Sequence, residues 1–124
     1  MIGAGNLGSA LTQYGGFKSR GFAIEAVFDN DLSKVGLRLN DTPVMAINRM
    51  HEYVRENNID IAIIAVPGRY AQDIADLLVQ SGIKGILNFA PVTLNIPEEV
   101  QVRNVDLAVN LEILSFNIVV NDEK

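Results

Sequence analysis

Four residues in the first quarter of the chain have the types and spacing to hold a phosphate-bearing ligand. Gly3, Gly5 and Gly8 stand in G-x-G-x-x-G spacing within Ile2-Gly3-Ala4-Gly5-Asn6-Leu7-Gly8, and Asp29 lies 21 residues after the last of them. In such a turn the first glycine bends the chain out of a strand. The second lets the backbone approach a pyrophosphate, and the third lets the next helix pack close to the sheet. Free N–H groups at the helix start face the phosphates, and the helix dipole favours their charge. An acid about 20 residues further on accepts hydrogen bonds from the adenosine ribose and repels a 2′-phosphate, which selects NAD over NADP. No arginine follows Asp29 directly. By themselves the glycines suit a plain strand-to-helix turn equally well, and an aspartate at a strand end can simply cap a turn. The two together favour a dinucleotide.

Other strand ends should line the same crevice, because ligands of open α/β sheets bind beyond the carboxyl ends of the strands. Val66-Pro67-Gly68 and Asn88-Phe89-Ala90-Pro91 are the segments in question, on the nicotinamide side, although either can be ordinary strand termination. The expected cofactor-binding set is therefore Gly3, Ala4, Gly5, Asn6, Leu7, Gly8 and Asp29, with Pro67, Asn88, Phe89 and Pro91. Groups for catalysis are not in evidence. The single histidine, His51, is expected on the exposed side of its helix. Ser9 has no base partner, and neither a carboxylate pair nor a metal-ligand cluster is spaced for work. The chain has no cysteine, which excludes disulfides and thiolate chemistry. Binding and sensing are favoured over turnover, so the expectation is a protein that is not an enzyme.

These residues need elements to hold them. Periodicity predicts a helix over Leu7 to Ser19, loosened at its end by Gly15, Gly16 and Gly21. A strand follows over Ala23 to Asp29. Lys34 to Leu39 reads as loop or a turn of helix, and Pro43 to Ala46 as a short strand. Asn48 is expected to cap a helix to about Asn57. Asp60 to Val66 is an apolar run suited to a parallel strand covered on both faces. Arg69 to Ser81 reads as a helix burying Tyr70, Ile74, Leu77 and Leu78. Lys84 to Phe89 and Val100 to Val102 are further strands. Alternation of strand and helix implies an α/β fold: a Rossmann-like parallel sheet with helices on both faces. Only Met1 and Ile2 precede Gly3, so the first strand is expected to be truncated. The chain is then a fragment whose neighbouring strands have exposed edges.

Size and charge narrow the class. At 124 residues and 48% apolar content the chain can bury one real core. Net charge is −5, and no basic cluster offers a DNA footprint. Neither a membrane-length apolar run nor a signal peptide is visible, which fits a cytoplasmic protein without a membrane partner.

The last segment, Asp106 to about Val120, reads as a helix with two apolar stripes. Leu107, Leu111, Leu114 and Ile118 form one; Val109, Ile113, Phe116 and Val120 form the other, on the nearly opposite face. A helix that merely covers a sheet needs one apolar face. A helix buried within its own domain accounts for two, but a helix held between two subunits is the favoured expectation. The predicted division is residues 1–105 as a dinucleotide-binding domain and 106–124 as a dimerisation helix.

Gly3-Ala4-Gly5-Asn6-Leu7-Gly8-Ser9-Ala10-Leu11, Tyr14, Phe28-Asp29, Asn88-Phe89-Ala90-Pro91 and Asp106-Leu107 through Leu114-Ser115-Phe116 together resemble the Rex family of bacterial redox-sensing transcriptional repressors. The likeness runs in order along nearly the whole chain. It implies a homodimer that reads the NADH/NAD⁺ ratio and leaves operator DNA when NADH binds. It also implies NAD(H) as cofactor, with the pyrophosphate on Gly3 to Gly8 and the adenosine ribose on Asp29. The terminal helix would be exchanged between subunits, and Tyr14 and Asp106 would take part in the redox read-out. The family's N-terminal winged helix has no counterpart in this sequence, so operator DNA is expected as a partner only through that missing domain. An alternative is an enzyme part: a CoA-binding domain like that of succinyl-CoA ligase, or the cofactor half of a dehydrogenase. Asp29 speaks against CoA, whose 3′-phosphorylated ribose would meet a carboxylate.

Overall fold

A computed structural model describes residues 1–122. Its elements alternate largely as the apolar pattern requires. Helices α1 (Asn6–Gln13) and α2 (Gly15–Ser19) come first, followed by strands β1 (Val27–Asp29), β2 (Arg38–Leu39) and β3 (Thr42–Ala46). Helix α3 (Met50–Glu56) leads to β4 (Ile61–Ile64), α4 (Gly68–Gln80), β5 (Gly85–Asn88), β6 (Gln101–Asn104) and α5 (Leu107–Asp122).

One residue joins the two halves of the sheet. Ile2 bridges in parallel to Phe28 of β1 on one side and to Ile64 of β4 on the other. Four backbone bonds make the joint. Gly3 N–H donates to Phe28 O (2.8 Å) and Phe28 N–H to Met1 O (2.9 Å). Ile2 N–H donates to Ile63 O (2.7 Å), and Ala65 N–H donates to Ile2 O (2.8 Å). With β1 on β3, β4 on β5 and β5 on β6 all parallel, the sheet runs β3-β1-Ile2-β4-β5-β6. This is the Rossmann strand order, with its reversal point at Ile2.

The pleat sorts the strands into two faces. Ile2, Phe28, Ala62, Ile64 and Ile86 meet Met50 and Val54 of α3 and Ala71, Ile74, Ala75 and Leu78 of α4 in the main core. Each large aliphatic side chain fully buried there contributes about 1.5–3 kcal/mol. A smaller cluster of Ala4, Val27 and Val44 forms separately. On β4 and β5 the alternate residues behave differently. Ile61 is 52% exposed, and Ile63 and Leu87 are only half-buried. The apolar run at 60–66 therefore has one face covered by these residues, where cover on both faces was expected.

Several boundaries differ from expectation for local reasons. The first helix breaks at Tyr14, whose backbone is extended (φ −72°, ψ 111°). The Tyr14 ring lies over Gly16, where a methyl group would overlap it, and meets Phe17 edge-on with centroids 4.9 Å apart. Asn48 lies inside a 3₁₀ turn, Ile47–Arg49, and makes no side-chain cap. Ladder pairing of the first long strand begins only at Val27. Arg38–Leu39 is a strand rather than loop or helix, paired antiparallel to β3. Asn40 (φ 49°) and Asp41 (φ 69°) make its turn, the left-handed pair that a two-residue hairpin needs. In α4 the buried stripe is Ala71, Ile74, Ala75 and Leu78, while Tyr70 (40%) and Leu77 (38%) stay exposed. The two alanines let the helix come close, so the larger neighbours are turned to its flanks.

An apolar groove of about 430 Å³ opens beside Met1 and Ile2, lined by Ile24, Ala26, Ile61 and Ile63 among others. The groove lies between the segment ahead of β1 and the first residues of β4. The Met1 amine donates to Ala26 O at 3.1 Å, and burial pulls its pKa from 8.0 down to about 5. Between those values the unfolded chain holds a proton that the folded chain does not, so stability rises with pH from about 5 to 8. Denaturant titrations of the 124-residue polypeptide should give a slope approaching 1.4 kcal/mol per pH unit. A few apolar residues added ahead of Met1 should raise stability and remove that slope, since the nitrogen becomes an amide. An unchanged slope would show that this amine is not the group responsible.

Candidate functional site

The reversal point at Ile2 places the glycine turn between the ends of β1 and β4. Each glycine has a distinct physical reason. Gly3 has φ +111°, and a methyl there would run into the Ala65 carbonyl. A methyl on Gly8 would run into the Gly3 carbonyl oxygen, so α1 packs on the turn only with glycine at that position. Gly5 is different. A Cβ added to it meets nothing within 4 Å, and its backbone (φ −77°) is open to any residue. The protein's own packing does not ask for glycine at Gly5. The space beside its backbone is open.

Gly5 is the N-cap of α1 and supplies no side-chain cap. The amides of Asn6, Leu7 and Gly8 begin the helix, and a helix leaves its first N–H groups without partners along the axis. Their dipole favours an anion. Asp29 closes the other side. Its Oδ2 accepts from Ala4 N–H at 2.7 Å and its Oδ1 from Asp31 N–H at 2.8 Å. A carboxylate has about four lone-pair sites, so two remain for hydroxyl donors. The residue thus acts both as the strap that ties the glycine turn to β1 and as an acceptor facing the crevice.

The other expected residues gather at the next strand ends. Gly68 packs so closely on the Pro91–Val92 loop that a methyl on it would sit 2.8 Å from Val92 Cγ1. Pro67, exposed, immediately precedes Gly68 as the N-cap of α4. Asn88 is fully buried, with its side chain committed inward. Its Nδ2 donates to Val92 O and Asn104 Oδ1, both at 3.1 Å, and its Oδ1 accepts from Ala90 N–H at 3.0 Å. Asn88 shapes the loop that carries half-buried Phe89 and exposed Pro91.

Tyr14 lies apart from the glycine turn. Tyr14 follows the last residue of α1, so an eight-residue helix of about 12 Å separates it from the glycine turn. It is 58% exposed. Asp106 is exposed at the entry to α5. His51 is exposed on α3, as expected, with Nδ1 2.9 Å from Ser81 Oγ. Ser81 ends α4, about 20 Å along the helix from the Gly68 end at the crevice. The sequence reading missed Lys34, whose Nζ is 3.3 Å from Ala4 O. Only the fold of the 30–37 segment brings it there.

A family model described as a CoA binding domain matches residues 1–92. The chain belongs to this family. Within it, the resemblance to Rex read from the residues extends over almost the whole sequence. The redox-sensing transcriptional repressor Rex of Carboxydothermus hydrogenoformans is 61% identical over 118 residues, 95% of this chain and 57% of the relative. That of Desulforamulus reducens is 54% identical over 123 residues, 99% of this chain and 59% of the relative. The chain therefore spans less than two thirds of the curated relatives it matches. Among solved structures, a Rex-family repressor in complex with NADH superposes with TM-score 0.92 at 38% identity, covering 98% of this chain and 59% of that one. The same repressor with NAD⁺ and operator DNA gives TM-score 0.92 over 98% of this chain and 56% of that one. The Rossmann-type α/β fold is thus shared with Rex, and the CoA-enzyme alternative is not favoured.

The glycines separate fold from ligand experimentally. Gly3→Ala and Gly8→Ala should each lower stability by about 1–3 kcal/mol or more, because backbone atoms must move. Gly5→Ala should cost at most about 1 kcal/mol of stability, the N-cap preference for glycine over alanine, yet weaken NADH binding at least about tenfold, a change of 1.4 kcal/mol. Full NADH affinity in Gly5→Ala would remove the reason given for that glycine.

Proposed function

We propose that the chain is the NAD(H)-binding, redox-sensing part of a Rex-type transcriptional repressor, cytoplasmic and without catalytic turnover. The observation that carries this is Gly5. Open space at the start of α1, beside a carboxylate strapped to the same turn, suits the pyrophosphate and adenosine ribose of a dinucleotide. The named relatives and the NADH and NAD⁺ complexes of a 38%-identical repressor support the choice of cofactor. Gly3 to Gly8 hold the pyrophosphate and Asp29 the ribose. Pro67, Phe89 and Pro91 border the nicotinamide side, with Asn88 as the buried support of that loop. Contact with operator DNA belongs to a winged-helix region in the part of the relatives outside the match. No helix among the described residues is long and apolar enough to cross a membrane.

Residues 106–124 serve as a dimerisation helix exchanged between two copies, with 1–105 as the cofactor domain. Two uncovered surfaces support this. On α5, Leu111, Ile113, Leu114, Phe116, Ile118, Val119 and Val120 are all 36–68% exposed, on every side of the helix. On the sheet, Ile61, Ile63 and Leu87 are also left without full cover. An apolar helix and a bare sheet face in one chain satisfy each other when two copies meet. Tyr14 and Asp106 then report the redox state at that junction.

Titration with NADH, NADPH and CoA tests the cofactor. NADH should bind at least about tenfold more tightly than NADPH, and should not be consumed. CoA outcompeting NADH would reverse the assignment. Sedimentation tests the helix: the chain should be dimeric, and Leu114→Asp with Phe116→Asp should make it monomeric. A monomeric parent chain would overturn the helix assignment alone.

A further inference from the structure

We propose that Lys34 is a specificity residue at the adenosine end of the site. Its ammonium adds to dinucleotide affinity and offsets part of the selection that Asp29 imposes against a 2′-phosphate. The proposal rests on the dinucleotide reading above and goes beyond it.

Residue 4 is held from both sides by opposite charges. Asp29 Oδ2 accepts from the Ala4 N–H at 2.7 Å, and Lys34 Nζ donates to the Ala4 carbonyl at 3.3 Å. The two charges thus share one residue of the glycine turn, within about a Debye length at 0.1 M salt. Ala4 precedes Gly5, the position left open for the phosphates. The segment that delivers the lysine is itself anchored. Lys34 N–H donates to Asp31 O at 2.9 Å, and Gly36 N–H donates to Val44 O of β3 at 2.9 Å. The side chain is half-buried and not swinging free in solvent.

An ammonium has three donors. One is used on the Ala4 carbonyl, which carries no net charge to neutralise it, and two remain for a ligand. The nearby Asp31 carboxylate is engaged by both the N–H and the hydroxyl of Ser33, and the Lys34 charge acts on it through space, a weaker effect than those hydrogen bonds. A cation in the loop after the ribose-binding acid is where such folds accommodate a 2′-phosphate. Here the acid and the cation coexist. Asp29 sets the preference for an unmodified ribose, and Lys34 makes that preference shallower while attracting the pyrophosphate common to both dinucleotides.

Fluorescence titrations of the 124-residue protein with NADH and NADPH test this, at low and high salt. Lys34→Gln should weaken NADH about two- to fivefold, the range of a partly exposed charge contact. It should weaken NADPH by a larger factor and flatten the salt dependence of both. Lys34→Arg should restore all three properties. Lys34→Met keeps the apolar stem and guards against a folding defect in the glutamine variant. Unchanged affinities in both neutral variants would overturn the proposal. So would an equal loss for the two dinucleotides that does not depend on salt, since that describes a loop-positioning role. Binding of neither dinucleotide by the parent protein would instead overturn the proposed function, and this inference with it.

Discussion

The double pairing of Ile2 is the contact on which the rest depends. Ile2 bonds to the β4 side through its own N–H and carbonyl, its neighbours Met1 and Gly3 bond to Phe28 of β1, and among the described residues no other strand joins the two halves of the sheet. The chain leaves this point towards β1 and β3, then returns to build β4, β5 and β6 on the other side. A crevice at the strand ends follows from that reversal. The glycine turn sits in it because Gly3 continues directly from Ile2. The support is narrow. Beside Met1 the segment ahead of β1 and the start of β4 line an apolar groove, so the site rests on a joint of four backbone bonds.

The site is built from main-chain groups more than from side chains. Asp29 binds two amides, Lys34 a carbonyl, and Asn88 a carbonyl and an amide. Such contacts fix the loops at the strand ends while leaving amides of α1 and two lone-pair sites of Asp29 for a ligand. Asn88 adds a link from the loop after β5 to Asn104 at the end of β6, two residues before Asp106. The loop proposed to border the nicotinamide is thereby tied to the strand that leads into α5.

Legibility from sequence followed the range of the interactions. The tight Gly3–Gly8 turn could be read because its signal lies in local spacing. The strands at Ile61–Ile64 and Gly85–Asn88 could be read from continuous apolar runs. The Arg38–Leu39 strand could not, since two residues carry no period and the Asn40–Asp41 turn was the available signal. Tyr70 and Leu77 were misplaced because helical period gives the width of a stripe and not its centre. The closest approach of α4 to the sheet is set by Ala71 and Ala75.

By itself the sequence determined the α/β class, the glycine turn with an acid 21 residues after it, the lack of a nucleophilic cysteine and a terminal helix apolar on both faces. These depend on residue type and short spacing, which survive without coordinates. Only the tertiary structure decided that Ile2 and its two neighbours join the sheet halves, that a Cβ on Gly5 would meet open space, that Lys34 reaches Ala4, and that Ile61, Ile63 and Leu87 lack full cover. Each is a relation between residues distant in the chain. Backbone hydrogen bonds and packing set such distances, and no local pattern records them.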